Sequence, residues 1–292
     1  MSTARFTLIV SDLGLEPAQD LSDDPRLEAM AVSINETDEQ ASRWEVVAYF
    51  ASEAEAAKAR LAIGGVIAKV PDTDWVRKSL EGLAPVAAGR FYLHGSHDAG
   101  RSGGISLEID AGTAFGTGHH GTTEGCLLAL DQILKRKRPR RILDVGCGTG
   151  VLAIAAARAT GHAALASDID PEAVRVTKLN ARLNGVGPQL KAIAAAGLKD
   201  PRIAGAAPYD LIFANILARP LVALAQGLAR ILEPGGELIL SGLTLDQCRW
   251  ILAVYRNHGL VPRAKITCGN WAALVLTKKA PGRFKVRALA KA

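Results

Sequence analysis

The sequence predicts an α/β protein: a doubly wound, mainly parallel sheet ending in an antiparallel hairpin, preceded by a small N-terminal α+β domain. Three observations carry that prediction. From about residue 141, short apolar strands alternate with helical patterns; residues 263–277 read as two strands around a turn; and residues 5–70 hold several strands and one helix. The implied organisation is an N-terminal domain over 1–88, a linker over 89–108 and the larger domain over 109–292.

In the N-terminal stretch, Arg5–Val10, Met30–Ile34 and Arg43–Phe50 alternate as half-buried strands do. Ser52–Leu61 reads as a helix, with Ser52 as N-cap and Glu55 completing a capping box. Gly64-Gly65 ends it, and Val66–Val70 is a further strand. No nucleophile, metal cluster or phosphate loop stands out here, so the segment reads as a recognition module. Residues 89–108 are rich in Gly, Ser and His, which suits a linker. His94 and His97 have no third ligand nearby and read as surface histidines, and no metal site is expected.

The larger domain opens with the strand Arg141–Val145 and the helix Val151–Arg158, stopped at Thr160-Gly161. Ala163–Ser167 is the second strand. Asp170 caps the next helix, which has Pro171 at its first position and runs to Asn184-Gly185. Leu190–Ile193, Asp210–Ala214 and Glu237–Ser241 continue the strands, with helices over Ala218–Leu232 and Leu245–His258. Arg263–Cys268 and Trp271–Thr277 flank Gly269-Asn270 as a hairpin.

Composition narrows the function classes. At 292 residues, 49% hydrophobic and 22% charged, the chain matches an ordinary soluble protein and has no apolar run of the ~20 residues a membrane span needs. Cys126, Cys147, Cys248 and Cys268 form no CxxC pair, which argues against a disulfide framework or zinc site and suits a reducing cytoplasm. The net charge of +6 includes two clusters, Lys135–Arg141 and the tail Lys278–Ala292. The first reads as a solvated helix end and the second as frayed, so direct nucleic-acid binding is expected to be weak or absent.

The chemistry concentrates at Leu143-Asp-Val-Gly-Cys-Gly-Thr-Gly150, between the first strand of the larger domain and its helix. Gly146, Gly148 and Gly150 let the backbone turn sharply and approach a ligand, and the following helix presents free N–H groups. A dinucleotide fingerprint would place its third glycine at Val151, and a phosphate loop would end in Gly-Lys-Ser/Thr; neither is present. Asp144, two positions before GxGxG, suits an S-adenosylmethionine site, where its carboxylate binds the methionyl amino group directly or through water. Asp168 ends the next strand, where a carboxylate accepts the ribose hydroxyls. Asp170 competes with it, but precedes Pro171 and reads as the helix cap. Asn215 lies at the carboxyl end of a later strand, where ligands bind in open α/β sheets. It is followed by Ile-Leu-Ala rather than Pro-Pro-aromatic, which disfavours a planar nitrogen acceptor. Together these make the larger domain a Rossmann-like class I methyltransferase sheet.

Two further segments, Ala111-Gly-Thr-Ala-Phe-Gly-Thr-Gly-His-His-Gly-Thr-Thr123 and Asp74–Phe91, with Asn215-Ile-Leu-Ala218, resemble the bacterial ribosomal protein L11 methyltransferase family (PrmA). The resemblance covers nearly the whole chain. It implies S-adenosylmethionine-dependent methylation of lysine side chains and the N-terminal amine of a large-subunit ribosomal protein, free or on the subunit, gripped by the N-terminal domain. It also implies cofactor contacts at Thr123, Gly146, Asp168 and Asn215. In the expected mechanism Asn215 orients the acceptor amine and the loop Thr113–His120 closes over the site. Phe115 walls the sulfonium, and His119 or His120 serves as general base or orders the loop. The alternatives are an RNA methyltransferase and a non-catalytic cofactor-binding assembly factor.

Overall fold

The computed structural model describes residues 6–38, 41–69, 85–96, 98, 100–101, 103–109 and 121–279. The chain divides into two compact units, residues 1–75 and 76–292.

In the first unit the order is β1 (Phe6–Leu13), α1 (Leu15–Ser22), β2 (Ala31–Asp38), β3 (Arg43–Phe50), α2 (Glu53–Ile63) and β4 (Val66–Lys69). The strands form one antiparallel sheet in the order β2-β3-β1-β4. Leu8, Ala48 and Phe50 make its core with Ala56 and Ala59 of α2. The capping box is present: Ser52 Oγ accepts from Glu55 N, and Glu55 Oε2 accepts from Ser52 N. Helix α1 was not anticipated from the sequence. Its first turn holds Pro17, tolerated there because a first-turn N–H has no intrahelical partner, and Ala18 and Gln19 bury its inner face.

The described part of the second unit opens with three short strands, β5 (Val86–Ala88), β6 (Phe91–His94) and β7 (Ile105–Glu108), which form a small sheet. This corrects the linker expected over 89–108. Phe91, Leu93 and Leu107 are fully buried in the same core as Leu127 and Leu130 of α3 (Gly121–Leu134). Arg90 adds an ion pair to Asp131 of that helix at 2.5 Å. His94 is also not a surface residue: it is 6% exposed, and its Nδ1 bonds the Gly95 carbonyl. His97 lies outside the described residues.

The main sheet contains β8 (Ile142–Val145), β9 (Ala164–Asp168), β10 (Leu190–Ala194), β11 (Tyr209–Asn215), β12 (Leu232–Thr244), β13 (Leu260–Cys268) and β14 (Trp271–Lys278). Their order is β10-β9-β8-β11-β12-β14-β13. The first five are parallel, and β14 runs antiparallel to both β12 and β13, as the sequence predicted. The connecting helices are α4 (Val151–Thr160), α5 (Pro171–Leu183), α6 (Pro201–Ala204), α7 (Ala218–Ile231) and α8 (Gln247–Asn257). Apolar cores fill both faces: Ile142, Leu211 and Phe213 point to one, Leu143, Ile212 and Leu240 to the other. Strand order reverses between β8 and β11, and the crevice at that switch point is where ligands bind in such sheets.

The basic run after α3 is spent on structure. Arg136 forks onto the buried Glu237 at 3.0 and 3.3 Å, Arg141 pairs with Glu233 at 2.7 Å, and Lys135 pairs with Asp131 at 2.8 Å. Arg138 Nε donates to the Thr160 carbonyl at the end of α4. Among the described residues no helix is long and apolar enough to cross a membrane.

Candidate active site

The glycine turn leaves β8 at the switch point. Gly146 and Cys147 both donate their N–H groups to the Ser167 carbonyl on β9, which ties the turn to the neighbouring strand. Gly146, Gly148 and Gly150 have φ of 70°, 51° and 82°, a left-handed region that favours glycine. Space adds a second demand. A Cβ on Gly146 would overlap the Ile216 side chain, and one on Gly150 would lie 2.7 Å from Thr177 Cγ2.

The contact with Ile216 brings distant parts of the sequence together. Asn215 ends β11 and Ile216 follows it, so the residue next to the asparagine places its side chain directly against the turn, and Ala214 pairs with Val145 where β11 and β8 end. On its other side Ile216 meets Gly242 of β12, where a Cβ would sit 2.8 Å from the Ile216 carbonyl carbon. Gly242 therefore belongs to the site, although nothing in its local sequence singles it out. Asn215 pairs in register with Ser241, and its Nδ2 donates to Thr122 Oγ1 at 3.3 Å. Thr123, beside it in the first turn of α3, is buried.

Two carboxylates frame the turn from opposite sides. Asp144 is 1% exposed; its Oδ2 accepts from the Ala153 N–H, and its Oδ1 is buried with no hydrogen-bond partner. Burial pushes its carboxyl up to about 7, and the nearby Asp168 charge adds to the rise against the opposing Ala153 bond. Asp168 is half-buried at the end of β9 and accepts from Gly148 N at 2.8 Å and Asp170 N at 3.0 Å. Asp170 caps α5 by accepting from Glu172 N, as expected. Phe115, His119 and His120 lie outside the described residues.

Sequence reading missed the support under the turn. Thr177 Oγ1 donates to the Gly148 carbonyl at 2.9 Å and lies 3.4 Å from Cys147 Sγ; Asn180 Nδ2 donates to the Thr149 carbonyl at 3.0 Å. One turn later, Asn184 exchanges hydrogen bonds with both the N–H and the carbonyl of Glu108 at the end of β7. All three are buried. Their spacing, i, i+3 and i+7, is a polar stripe on a helix face that should be apolar, and it was the available signal. Thr177→Val keeps the shape and removes the donor, so it should cost about 1–2 kcal/mol of stability and weaken cofactor binding several-fold. Thr177→Ser should recover most of both. Denaturant unfolding and calorimetric titration measure them; equal behaviour of the two variants would show that the hydroxyl does not support the turn.

The residues present fit S-adenosylmethionine. Three left-handed glycines let the backbone approach a ligand closely, and the orphaned Asp144 oxygen beneath it suits a cationic group more than a phosphate.

Comparisons with known proteins agree. The family model for ribosomal protein L11 methyltransferase (PrmA) matches residues 12–279. A ribosomal protein L11 methyltransferase of Bradyrhizobium diazoefficiens is 49% identical over 81% of this chain and 84% of its own. One from a Caulobacter species is 45% identical over 90% and 93%. The crystal structure of a ribosomal protein L11 methylase from Lactobacillus delbrueckii subsp. bulgaricus superposes with a TM-score of 0.60 at 28% identity, covering 67% of this chain and 98% of that one. A glycine turn, its two carboxylates and the Asn215 strand end thus meet at the switch point of a chain matched from residue 12 to residue 279, and that chain belongs to the ribosomal protein L11 methyltransferase (PrmA) family, S-adenosylmethionine-dependent methyltransferases.

Proposed function

We propose that this enzyme methylates amino groups of ribosomal protein L11, the lysine side chains and the N-terminal amine, in the cytoplasm. The observation that carries the reading is the packing of Asn215-Ile216 against Gly146, which puts a polar amide beside the cofactor turn without an aromatic platform for a planar base. The names of the relatives supply the substrate class.

When bound, S-adenosylmethionine supplies a methyl group on a sulfonium, open to in-line attack. The protein's task is then to present a neutral amine. A free lysine has a pKa near ~10.4, and apolar surroundings lower it by disfavouring the ammonium. Asn215 orients the amine, Asp144 and Asp168 hold the two ends of the cofactor, and Thr123, Gly146, Gly148 and Gly150 line the cradle between them. Phe115 and His119, in the segment before α3, complete the reading as a wall for the sulfonium and as base or ordering group. The N-terminal unit, residues 1–75, serves as the recognition module.

A protein substrate is favoured over RNA by two observations. The described cations of the Lys135–Arg141 run are largely held by carboxylates and carbonyls. On the face of the N-terminal sheet opposite its core lie Thr7, Ile9, Val47 and Tyr49, of which Thr7 and Val47 are also buried, and the cation Arg43 is paired with Asp12 at 3.1 Å. The test is labelled S-adenosylmethionine in a ribosomal extract treated with protease or ribonuclease. Protease-sensitive label in a small basic protein is the expected result. Label confined to RNA would sink the reading, and no label at all would favour a non-catalytic assembly factor.

A further inference from the structure

We infer that Thr122 is a positioning residue for the methyl acceptor: its hydroxyl holds the Asn215 amide so that the carbonyl Oδ1 faces the incoming amine. This rests on the reading of Asn215 as the residue that orients the acceptor.

An asparagine amide offers opposite chemistry at its two ends. An amine that donates an N–H to Oδ1 keeps its lone pair free for the methyl. An amine that meets the NH2 end must accept, and the lone pair needed for attack is then engaged. Which end faces the acceptor therefore decides whether the complex is productive. In the structure Nδ2 of Asn215 donates to Thr122 Oγ1 at 3.3 Å, which leaves Oδ1 as the end that faces away from α3's first turn.

Thr122 is itself held in place. It is 6% exposed in the first turn of α3, and Ser241 Oγ lies 3.3 Å from its carbonyl and 3.0 Å from that of Ala272 on β14. Ser241 is the register partner of Asn215 across β11 and β12. The helix start is also pressed against the hairpin: a Cβ on Gly121 would lie 2.9 Å from the Cys268 carbonyl oxygen. The first turn of α3 is thus fastened to the strand beside the one that carries Asn215, so the hydroxyl and the amide keep their relative position.

The test compares Thr122→Val, Thr122→Ser and Asn215→Ala in steady-state methylation of the purified ribosomal protein, with cofactor affinity measured by calorimetry. Thr122→Val is isosteric and lacks only the hydroxyl. It should lower kcat about tenfold or more, with KM and cofactor Kd within about twofold of the parent. Thr122→Ser should restore kcat to within about threefold. Ser241→Ala, which removes the Ser241 hydroxyl from beside the Thr122 carbonyl and leaves the Thr122 hydroxyl intact, should give a smaller loss in kcat, and it serves if Thr122→Val does not fold. Full turnover of Thr122→Val beside a collapsed Asn215→Ala overturns the inference alone, as does unchanged turnover of Ser241→Ala where Thr122→Val is unfolded. Equal losses in the valine and serine variants, or a loss that tracks cofactor affinity, overturn it too. Full turnover of Asn215→Ala overturns the reading beneath it.

Discussion

Asn215→Ala should reduce turnover by about 10²–10³-fold while cofactor binding stays measurable. The reaction is an in-line displacement, so most of what the protein can supply is alignment of a neutral nitrogen with the methyl group. In the proposed reading Asn215 sets that alignment. The next residue, Ile216, is held between the glycine turn and Gly242, and the Asn215 amide is tied to Thr122. Removing the side chain leaves this frame intact, because the close contacts run through Ile216 and the two glycines. The loss should therefore fall on kcat, with the cofactor Kd changing by less than about tenfold. Stopped-time methylation assays and calorimetry separate the two. A variant that turns over normally would remove Asn215 from the chemistry.

Asp144→Asn should change the pH dependence of both stability and cofactor binding. In the folded protein burial raises this carboxyl from 3.8 to about 7, so the native state keeps its proton over a range where the unfolded chain has lost it. The associated stability is fully present below about pH 4 and is lost as the pH rises through 7. The distance between the two values corresponds to roughly 4 kcal/mol. Asparagine has the same shape and cannot ionise: its carbonyl can still accept from Ala153, and its NH2 takes the place of the orphaned oxygen. The variant should match the parent near pH 4 and exceed it by a few kcal/mol at pH 8. Cofactor affinity should move the other way. In the parent it should strengthen as the pH rises through 7 and Asp144 acquires its charge; in the variant it should be weak and flat. Urea unfolding and calorimetry at pH 5 and pH 8 give both answers, and parallel pH profiles for the two proteins would contradict the assignment.

Much of this was legible in the chain itself. The parallel sheet follows from the β–α alternation, since each strand is short and apolar and each helix begins or ends on a recognisable residue. Asp170-Pro171 is one such start, and Gly161 one such stop. The glycine turn could be read in detail because local backbone geometry restricts its residue types. The reading failed where local pattern and tertiary role diverge. Helix α1 begins after Gly14 with no side-chain cap, so it lacks the strongest start signal and keeps only Glu16 and Pro17 in its first turn. Residues 89–108 look like a linker because Gly, Ser and His surround strands of only four residues; Phe91, Leu93 and Leu107 are core only because α3 lies over them.

The sequence by itself determined the fold class, the glycine turn proposed to take the cofactor and the residues at the strand ends, because these depend on periodicity, capping and the left-handed glycines. Only the tertiary structure decided which of those strand ends meet. Strand order brings β11 beside β8, and so Asn215-Ile216 against Gly146 and Gly242. The same packing placed Thr177 and Asn180 under the turn, Thr122 on the Asn215 amide and Asp144 in an apolar setting that raises its pKa. The physical reason is common to all of these: close contacts, hydrogen bonds and desolvation act between neighbours in space, and even the polar stripe of Thr177, Asn180 and Asn184 does not say which distant segment it meets.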